Sequence, residues 1–287
     1  MERSAGCLLD RKETDMQYID CKKYAQEILD EVKSVPNKGK LVIITVGDDN
    51  ASKVYVKGKI KDCEYCGIPV EHIKIEDTWS AGIELLEVID KNNEDDEVVG
   101  IIVQLPLPKH LNNELVNYCQ AIVPWKDVDG LTSGSWFEPC TPKGIIHLMK
   151  EELGDLTGLN VLIIGRSNLV GKPLAKMLTD EDCTVTLAHS KTKRLHLFMN
   201  EADVVVSAIG KANEFDLGVC WKAEMVIDVG INRDKNGKLC GDFDWFDCFD
   251  EHDSPYPKVT PVPNGVGLLT RAMLMKNVAE ASLERNK

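Results

Sequence analysis

The chain has 287 residues, 43% of them hydrophobic, enough for one large domain or two ordinary ones. A formal charge of -13, from 34 basic against 47 acidic residues with no basic cluster, argues against nucleic-acid or anionic-membrane partners and leaves room for small anions in a local pocket. No apolar run approaches the roughly 20 residues of a membrane span. The start, MERSAGCLLDRKETD, lacks the apolar core of a secretion signal, and the ten cysteines are scattered as reduced thiols would be, so a cytoplasmic location is expected.

Residues 1–15 carry no periodic pattern and read as a disordered extension. The spacing of Ile19, Ala25, Ile28, Leu29 and Val32 predicts a helix ending near Pro36 and Gly39. Residues 41–47, LVIITVG, form a β-branched run suited to a strand covered on both faces. DDNAS then caps a helix over 52–66 that stops at Gly67. Cys63 and Cys66 form a CxxC without a second Cys or His pair nearby in sequence, and read as helix-face residues. A strand over 70–75, a helix over 81–91 and a strand over 98–104 continue the alternation, which predicts an open, mostly parallel sheet with helices on its faces. In LPLPKH, 105–110, the prolines cannot continue a ladder, so the chain leaves the sheet at a fixed place. A helix around 111–119, the irregular PWKDVDGLTSG, and a helix over 142–153 linking two domains are expected next.

In VLIIGRSNLVGKP, 161–173, four apolar residues run into Gly165, and Gly171 and Pro173 follow. This reads as a buried strand, a tight turn and a helix N-terminus suited to the phosphates of a dinucleotide, although it does not spell GxGxxG. The helix runs to Leu178. Strands over 184–187, 203–207 and 225–229, with a short helix near Leu195, complete a second alternating domain. Residues 231–242 read as a hairpin or loop turning at Asn236-Gly237, and a final helix is expected from about Arg271.

Several side chains suit chemistry. Tyr55 and Lys59 are four apart and share a helix face, where a lysine is ordinarily just solvated. Gln104 ends an apolar run at a strand's carboxyl edge; once buried it needs partners, either backbone groups or a lysine such as Lys59. Asp127 and Asp129 in KDVDG belong to a turn of solvated carboxylates, or one of them reads the ring N–H groups of a heterocycle. Two aspartates without further oxygen ligands make a poor cation signature, so no metal is expected. His189, Ser190 and Lys191 follow the strand ending at Leu187, where NAD-preferring folds place an acid, so nothing there repels a 2′-phosphate.

The ordered blocks YVKGK (55–59), VQLPLP (103–108), KDVDG (126–130), PCTPKG (139–144), GRSNLVGKP (165–173), HSKT (189–192), DVGINR (228–233) and TPVPNGVGLLT (260–270) resemble the bifunctional methylenetetrahydrofolate dehydrogenase/cyclohydrolase family, from about Met16 to Asn277. The resemblance implies two α/β domains flanking a cleft, the second Rossmann-like with a mostly parallel sheet. It assigns 16–140 plus 271–287 to a folate or catalytic domain and 141–270 to an NADP-binding domain through which the chain pairs as a homodimer. It also implies NADP-dependent oxidation of 5,10-methylenetetrahydrofolate to the methenyl form, followed by hydrolysis to 10-formyltetrahydrofolate.

Carried over by motif, Lys59 is the key lysine, Gln104 tunes it, Tyr55 stacks on the aminobenzoate and Asp129 holds the pterin, with Pro263 and Gly265 completing the substrate set. Arg166, Ser167 and Ser190 approach the 2′-phosphate, and Gly165, Gly210 and Ile231 complete the cofactor set. Two positions depart from the family spelling. Asn264 replaces a glycine, mild if φ is positive, and Leu268 replaces a proline, adding bulk that would favour hydrolysis over dehydrogenation. The alternatives are therefore a cyclohydrolase with weak or absent dehydrogenase activity, and a non-catalytic folate- or nucleotide-binding regulator. The regulator would be expected to have lost Lys59, Gln104 or Asp129. Trp125 is given a packing role only.

Overall fold

The computed structural model describes residues 17–111, 117–220, 222–244 and 257–285. The expected extension over 1–15 and most of the helix expected over 111–119 lie outside these residues; a 3-10 turn, Tyr118–Ala121, follows. In chain order the elements are β1 (Gln17–Tyr18), α1 (Cys21–Ser34), β2 (Lys40–Val46), α2 (Asn50–Cys66), β3 (Val70–Ile75), α3 (Ala81–Glu94), β4 (Val98–Val103), α4 (Cys140–Leu153), β5 (Asn160–Ile164), α5 (Gly171–Asp180) and β6 (Thr184–Ala188). They continue as α6 (Leu195–Glu201), β7 (Val204–Ser207), β8 (Phe215–Asp216), β9 (Met225–Asp228), β10 (Asn232–Arg233), β11 (Leu239–Cys240), β12 (Phe243–Asp244), β13 (Lys258–Val259) and α7 (Val266–Arg285).

Two compact units result, Lys22–Leu148 with Gly267–Lys287, and Met149–Val266 with residues 17–21. The first holds a parallel sheet of order β3-β2-β4. Its central strands are apolar along their length because both faces are covered, with Val42, Ile44, Ile101, Leu85 and Ile89 in one core cluster. Helix α2 begins where Asp49 accepts a hydrogen bond from the Ser52 backbone N–H at 2.7 Å. It ends at Gly67, whose φ of 66° suits a residue without a side chain. Against it packs α7, through Cys63 Sγ and Met275 Sδ at 3.5 Å. Burial pushes the Cys63 and Cys66 thiols up to about 12 and about 11, which fits inert helix-face residues.

The second unit is built on a parallel sheet of order β1-β13-β9-β7-β5-β6. Residues 17–18, expected with the first domain, pair instead with Lys258–Val259 on this sheet, a long-range match that two residues cannot advertise in sequence. The expected hairpin is formed by antiparallel β10 and β11, turning through Gly237 at φ 80°. Helix α7 starts at Val266 rather than near Arg271. The Gly and Pro punctuation ahead of it reads as a loop, yet Gly265 folds tightly under the Pro261 carbonyl and releases the chain straight into the helix.

In each sheet the strand order reverses once, between β2 and β4 in the first unit and between β5 and β7 in the second. The carboxyl ends of strands at such reversals are where open α/β sheets place ligands. They bring together Gly47 with Gln104, and Gly165 with Ala208.

Candidate functional site

Helix α2 leaves the carboxyl end of β2 with Tyr55, Lys59 and Asp62 along one face. Lys59 is only 4% exposed, its Nζ stands 5.9 Å from the centroid of the Tyr55 ring, and it donates to no described residue. A buried amine that donates no hydrogen bond among the described residues is costly, which marks Lys59 as a candidate functional residue. Burial raises the Tyr55 phenol above its ordinary range, opposed by the charge of Arg271 and helped by Asp129.

Gln104 follows β4, tied by its backbone N–H to the Ile44 carbonyl at 2.9 Å. Its Nε2 donates to the Leu105 carbonyl at 2.8 Å, and its Oε1 is buried with no hydrogen-bond partner. Of the two partners open to Gln104 from sequence, backbone or lysine, it takes the backbone and makes no hydrogen bond to Lys59. Ser52 Oγ is a second buried oxygen without a partner. Ser52 and Gln104, with Thr45, Gly47, Val56 and His72, line a cavity of about 270 Å³ at the carboxyl ends of β2 and β3. Sequence reasoning missed Ser52, whose one signal is its position, one helical turn before Tyr55.

The two aspartates of KDVDG separate cleanly. Asp127 is consumed by its own turn, accepting from the backbone N–H of Thr132 at 2.6 Å and of Gly130 at 3.2 Å. Asp129 is half-buried; burial first, then the charge of Asp129, hold the Cys140 thiol well above its usual range, and that thiol donates to the Val128 carbonyl at 3.4 Å. The segment is nailed down by Lys126, whose Nζ donates to the carbonyls of Asn92, Asn93 and Asp95, and by the fully buried Asn277 of α7. Asn277 Nδ2 donates to Val128 O at 2.9 Å and Glu138 O at 3.2 Å, while its Oδ1 accepts from Lys143 at 2.7 Å. Trp125 does not pack in the core: it is 48% exposed and meets Trp136 ring to ring at 6.0 Å.

In the second unit Gly165 has φ 122°, and a Cβ there would lie 2.6 Å from the Ala208 carbonyl oxygen. A Cβ on Gly171 would overlap the Gly165 carbonyl, so both glycines are required for the turn to close. Ser167 Oγ accepts from Val170 N at 3.1 Å and Gly171 N at 3.5 Å, capping α5 while its O–H is left to donate. Arg166 is exposed and pairs with no described acid, and Ser190 is exposed in the turn after β6. Gly210, at φ 66°, borders open space where a Cβ would point, and Ile231 is 55% exposed. Exposed donors, an open glycine turn and no acid at the end of β6 fit a dinucleotide carrying a 2′-phosphate.

Asp242, also missed in sequence, holds this rim. Its carboxylate accepts from Ser207 Oγ, Ile209 N, Lys211 N and Asn232 Nδ2 at 2.8–2.9 Å, orienting the loop that carries Gly210. Gly265 is buried and Pro263 exposed ahead of α7; Asn264 between them takes φ 74°, the region asparagine tolerates. Leu268 sits half-buried in the first turn of α7. Among the described residues no cluster of three or more metal-capable side chains occurs. Nor is any helix there long and apolar enough to cross a membrane.

Two parallel α/β units, each with candidate residues where its strand order reverses, define a two-domain α/β protein with a dinucleotide-type turn in its second unit. Residues 19–129 match the catalytic domain of tetrahydrofolate dehydrogenase/cyclohydrolase, and residues 139–286 match its NAD(P)-binding domain. The chain belongs to the tetrahydrofolate dehydrogenase/cyclohydrolase family. It is 43% identical over 281 residues to Bifunctional protein FolD of Magnetococcus marinus, covering 92% of this chain and 96% of that one. The crystal structure of FolD from Campylobacter jejuni superposes with TM-score 0.83 at 38% identity, covering 94% and 99% of the two chains. That of the Trypanosoma brucei enzyme, complexed with NADP and an inhibitor, gives 0.81 at 28% identity, covering 94% and 98%.

Proposed function

We propose that the chain oxidises 5,10-methylenetetrahydrofolate to 5,10-methenyltetrahydrofolate with NADP and hydrolyses the product to 10-formyltetrahydrofolate. The observation that carries this reading is Lys59, a buried amine that donates to no described residue and lies over the Tyr55 ring on one helix face, in a chain 43% identical to a bifunctional enzyme. The unit Lys22–Leu148 with Gly267–Lys287 serves folate, and Met149–Val266 serves the nucleotide.

Asp129 accepts from the pterin ring N–H groups, the Tyr55 ring carries the aminobenzoate, and Gln104 Oε1 offers an uncharged acceptor beside the reacting carbon. These contacts orient the methylene group and tolerate the cation left when hydride departs. The bound cofactor would supply the hydride acceptor. Arg166, Ser167 and Ser190 would hold the 2′-phosphate of NADP, Gly165, Gly210 and Ile231 would line its bed, and Pro263 and Gly265 complete the substrate set. In the second half, Lys59 accepts a proton from the water that adds to the cation, and a proton returned to the ring nitrogen opens the bridge. The protein works in the cytoplasm as a homodimer pairing through the nucleotide unit, a reading supported by the composition and the family resemblance.

Absorbance of purified protein with methylenetetrahydrofolate and NADP or NAD, following reduced cofactor and methenyl-folate together, tests both steps. No turnover with either cofactor refutes the dehydrogenase; decay of added methenyl-folate at the protein-free rate refutes the cyclohydrolase.

A further inference from the structure

Asp62, one turn beyond Lys59 on the same face of α2, faces Arg271 of α7 with Oδ2 and Nε 2.8 Å apart. The N–H is not aimed along that line, so the contact is an ion pair without a well-formed hydrogen bond. The rest of the guanidinium lies across Gly58. A Cβ at Gly58 would overlap Nη1 and stand 2.9 Å from Cζ, so the arginine reaches this place only because residue 58 has no side chain. Neither Nη1 nor Nη2 donates to any described residue, and the Arg271 side chain keeps a quarter of its surface exposed. Its charge is felt at the Tyr55 phenol three residues back along the helix.

A guanidinium charge-paired on one edge, with an open fork, half sunk against a helix and adjoining an aromatic ring, is built to receive a planar anion two-pronged. A carboxylate fits best. Structural pairing with Asp62 alone would not need the fork left open, and a lysine would have served it. The folate reading, on which this inference rests, puts the aminobenzoate on Tyr55, and the next group along such a substrate is a glutamyl residue with free carboxylates. We propose that Arg271 is the anchor for that glutamyl carboxylate, making it a binding residue that sets preference for the anionic tail while the chemistry proceeds elsewhere.

The test compares the methylene derivatives of tetrahydrofolate and of tetrahydropteroate, which lacks the glutamate, in the unmodified protein and in Arg271→Leu. In the unmodified protein the tail-less substrate should show a KM about ten- to a hundred-fold higher, the scale of a charge-assisted two-pronged contact. Arg271→Leu should raise KM for the tail-bearing substrate by the same factor, leave that of the tail-less one unchanged, and keep kcat within about three-fold. Arg271→Lys should recover part of the loss, since charge remains without the fork. If Arg271→Leu does not melt cooperatively, the unmodified protein and Arg271→Lys decide. Equal KM values for the two substrates in the unmodified protein, or a rise for both in the variant, overturns the assignment. Turnover of neither substrate by the unmodified protein is a different result, because it removes the folate reading itself.

Discussion

Asn277 offers a prediction with a magnitude that follows from its contacts. Replacing it with alanine removes the hydrogen bonds donated to Val128 O, Glu138 O and, more weakly, Cys140 Sγ, and one accepted from Lys143. Lys143 keeps Glu280 at 3.1 Å, and Val128 O keeps the weaker Cys140 Sγ–H at 3.4 Å, so the chief losses are the Glu138 carbonyl and the good half of Val128. A typical hydrogen bond contributes about 1 kcal/mol net, and a buried carbonyl stranded without a partner costs about 1–3 kcal/mol, so Asn277→Ala should destabilise by about 2–4 kcal/mol. Asn277→Asp should cost at least as much, because it turns an oxygen toward Val128 O and brings a charge to a position 0% exposed. The carbonyl that is released belongs to the residue before Asp129. Substrate KM should therefore rise about ten-fold while NADP affinity is unchanged. Urea melts give the first quantity, steady-state kinetics and cofactor titration the others. A cost below about 1 kcal/mol with unchanged KM would refute the view that this amide holds the segment.

Gly171→Ala drives a methyl into the Gly165 carbonyl, backbone against backbone, and should cost about 1–3 kcal/mol and weaken NADP binding at least ten-fold; equilibrium titration and thermal melts check both. Lys59→Ala should abolish hydrolysis of methenyl-folate while sparing NADP binding; loss of cofactor affinity in step with rate would mark the lysine as structural. Burial holds the Asp228 carboxyl up at about 6 from its usual 3.8. The folded state thus binds the extra proton, so this group's contribution is full below about pH 4 and is lost as pH rises through 6, by about 3 kcal/mol at most. Asp228→Ala should remove that slope from a series of denaturant melts between pH 4 and 6.

What the sequence makes legible follows from how local each cause is. Strands β2, β4 and β5 stand out because continuous β-branched runs suit burial on both faces, and α2 is bracketed by Asp49 and Gly67, both read within its own segment. Two-residue strands such as β1 and β13 carry no period at all, and only their pairing defines them, with each other 241 residues apart and, for β13, with β9. At the site, Tyr55, Lys59 and Asp129 were reachable through spacing and family spelling. Asn277, Asp242 and Arg271 were not, since the partners of their side chains, Asn232 apart, lie 31 to 213 residues away. Gln104 shows the limit from the other side: its place at the strand end and its two candidate partners were readable, but the choice between them was not, and the carboxamide turns to its neighbour's carbonyl, not the lysine.

The alternation of the two units along the chain bears on synthesis. The unit that opens at Lys22 is closed only by Gly267–Lys287, and the backbone N–H of Gly39 finds the Ser282 hydroxyl 243 residues later. A growing chain can complete the nucleotide unit as soon as β13 has emerged, whereas the half-sheet β3-β2-β4 must wait, with the flank meant for α7 bare, until that helix has followed. The lysine helix is thus sheltered later than the strands and helices between it and α7, which makes the emergence of α7 the committing event in the birth of the folate-directed unit.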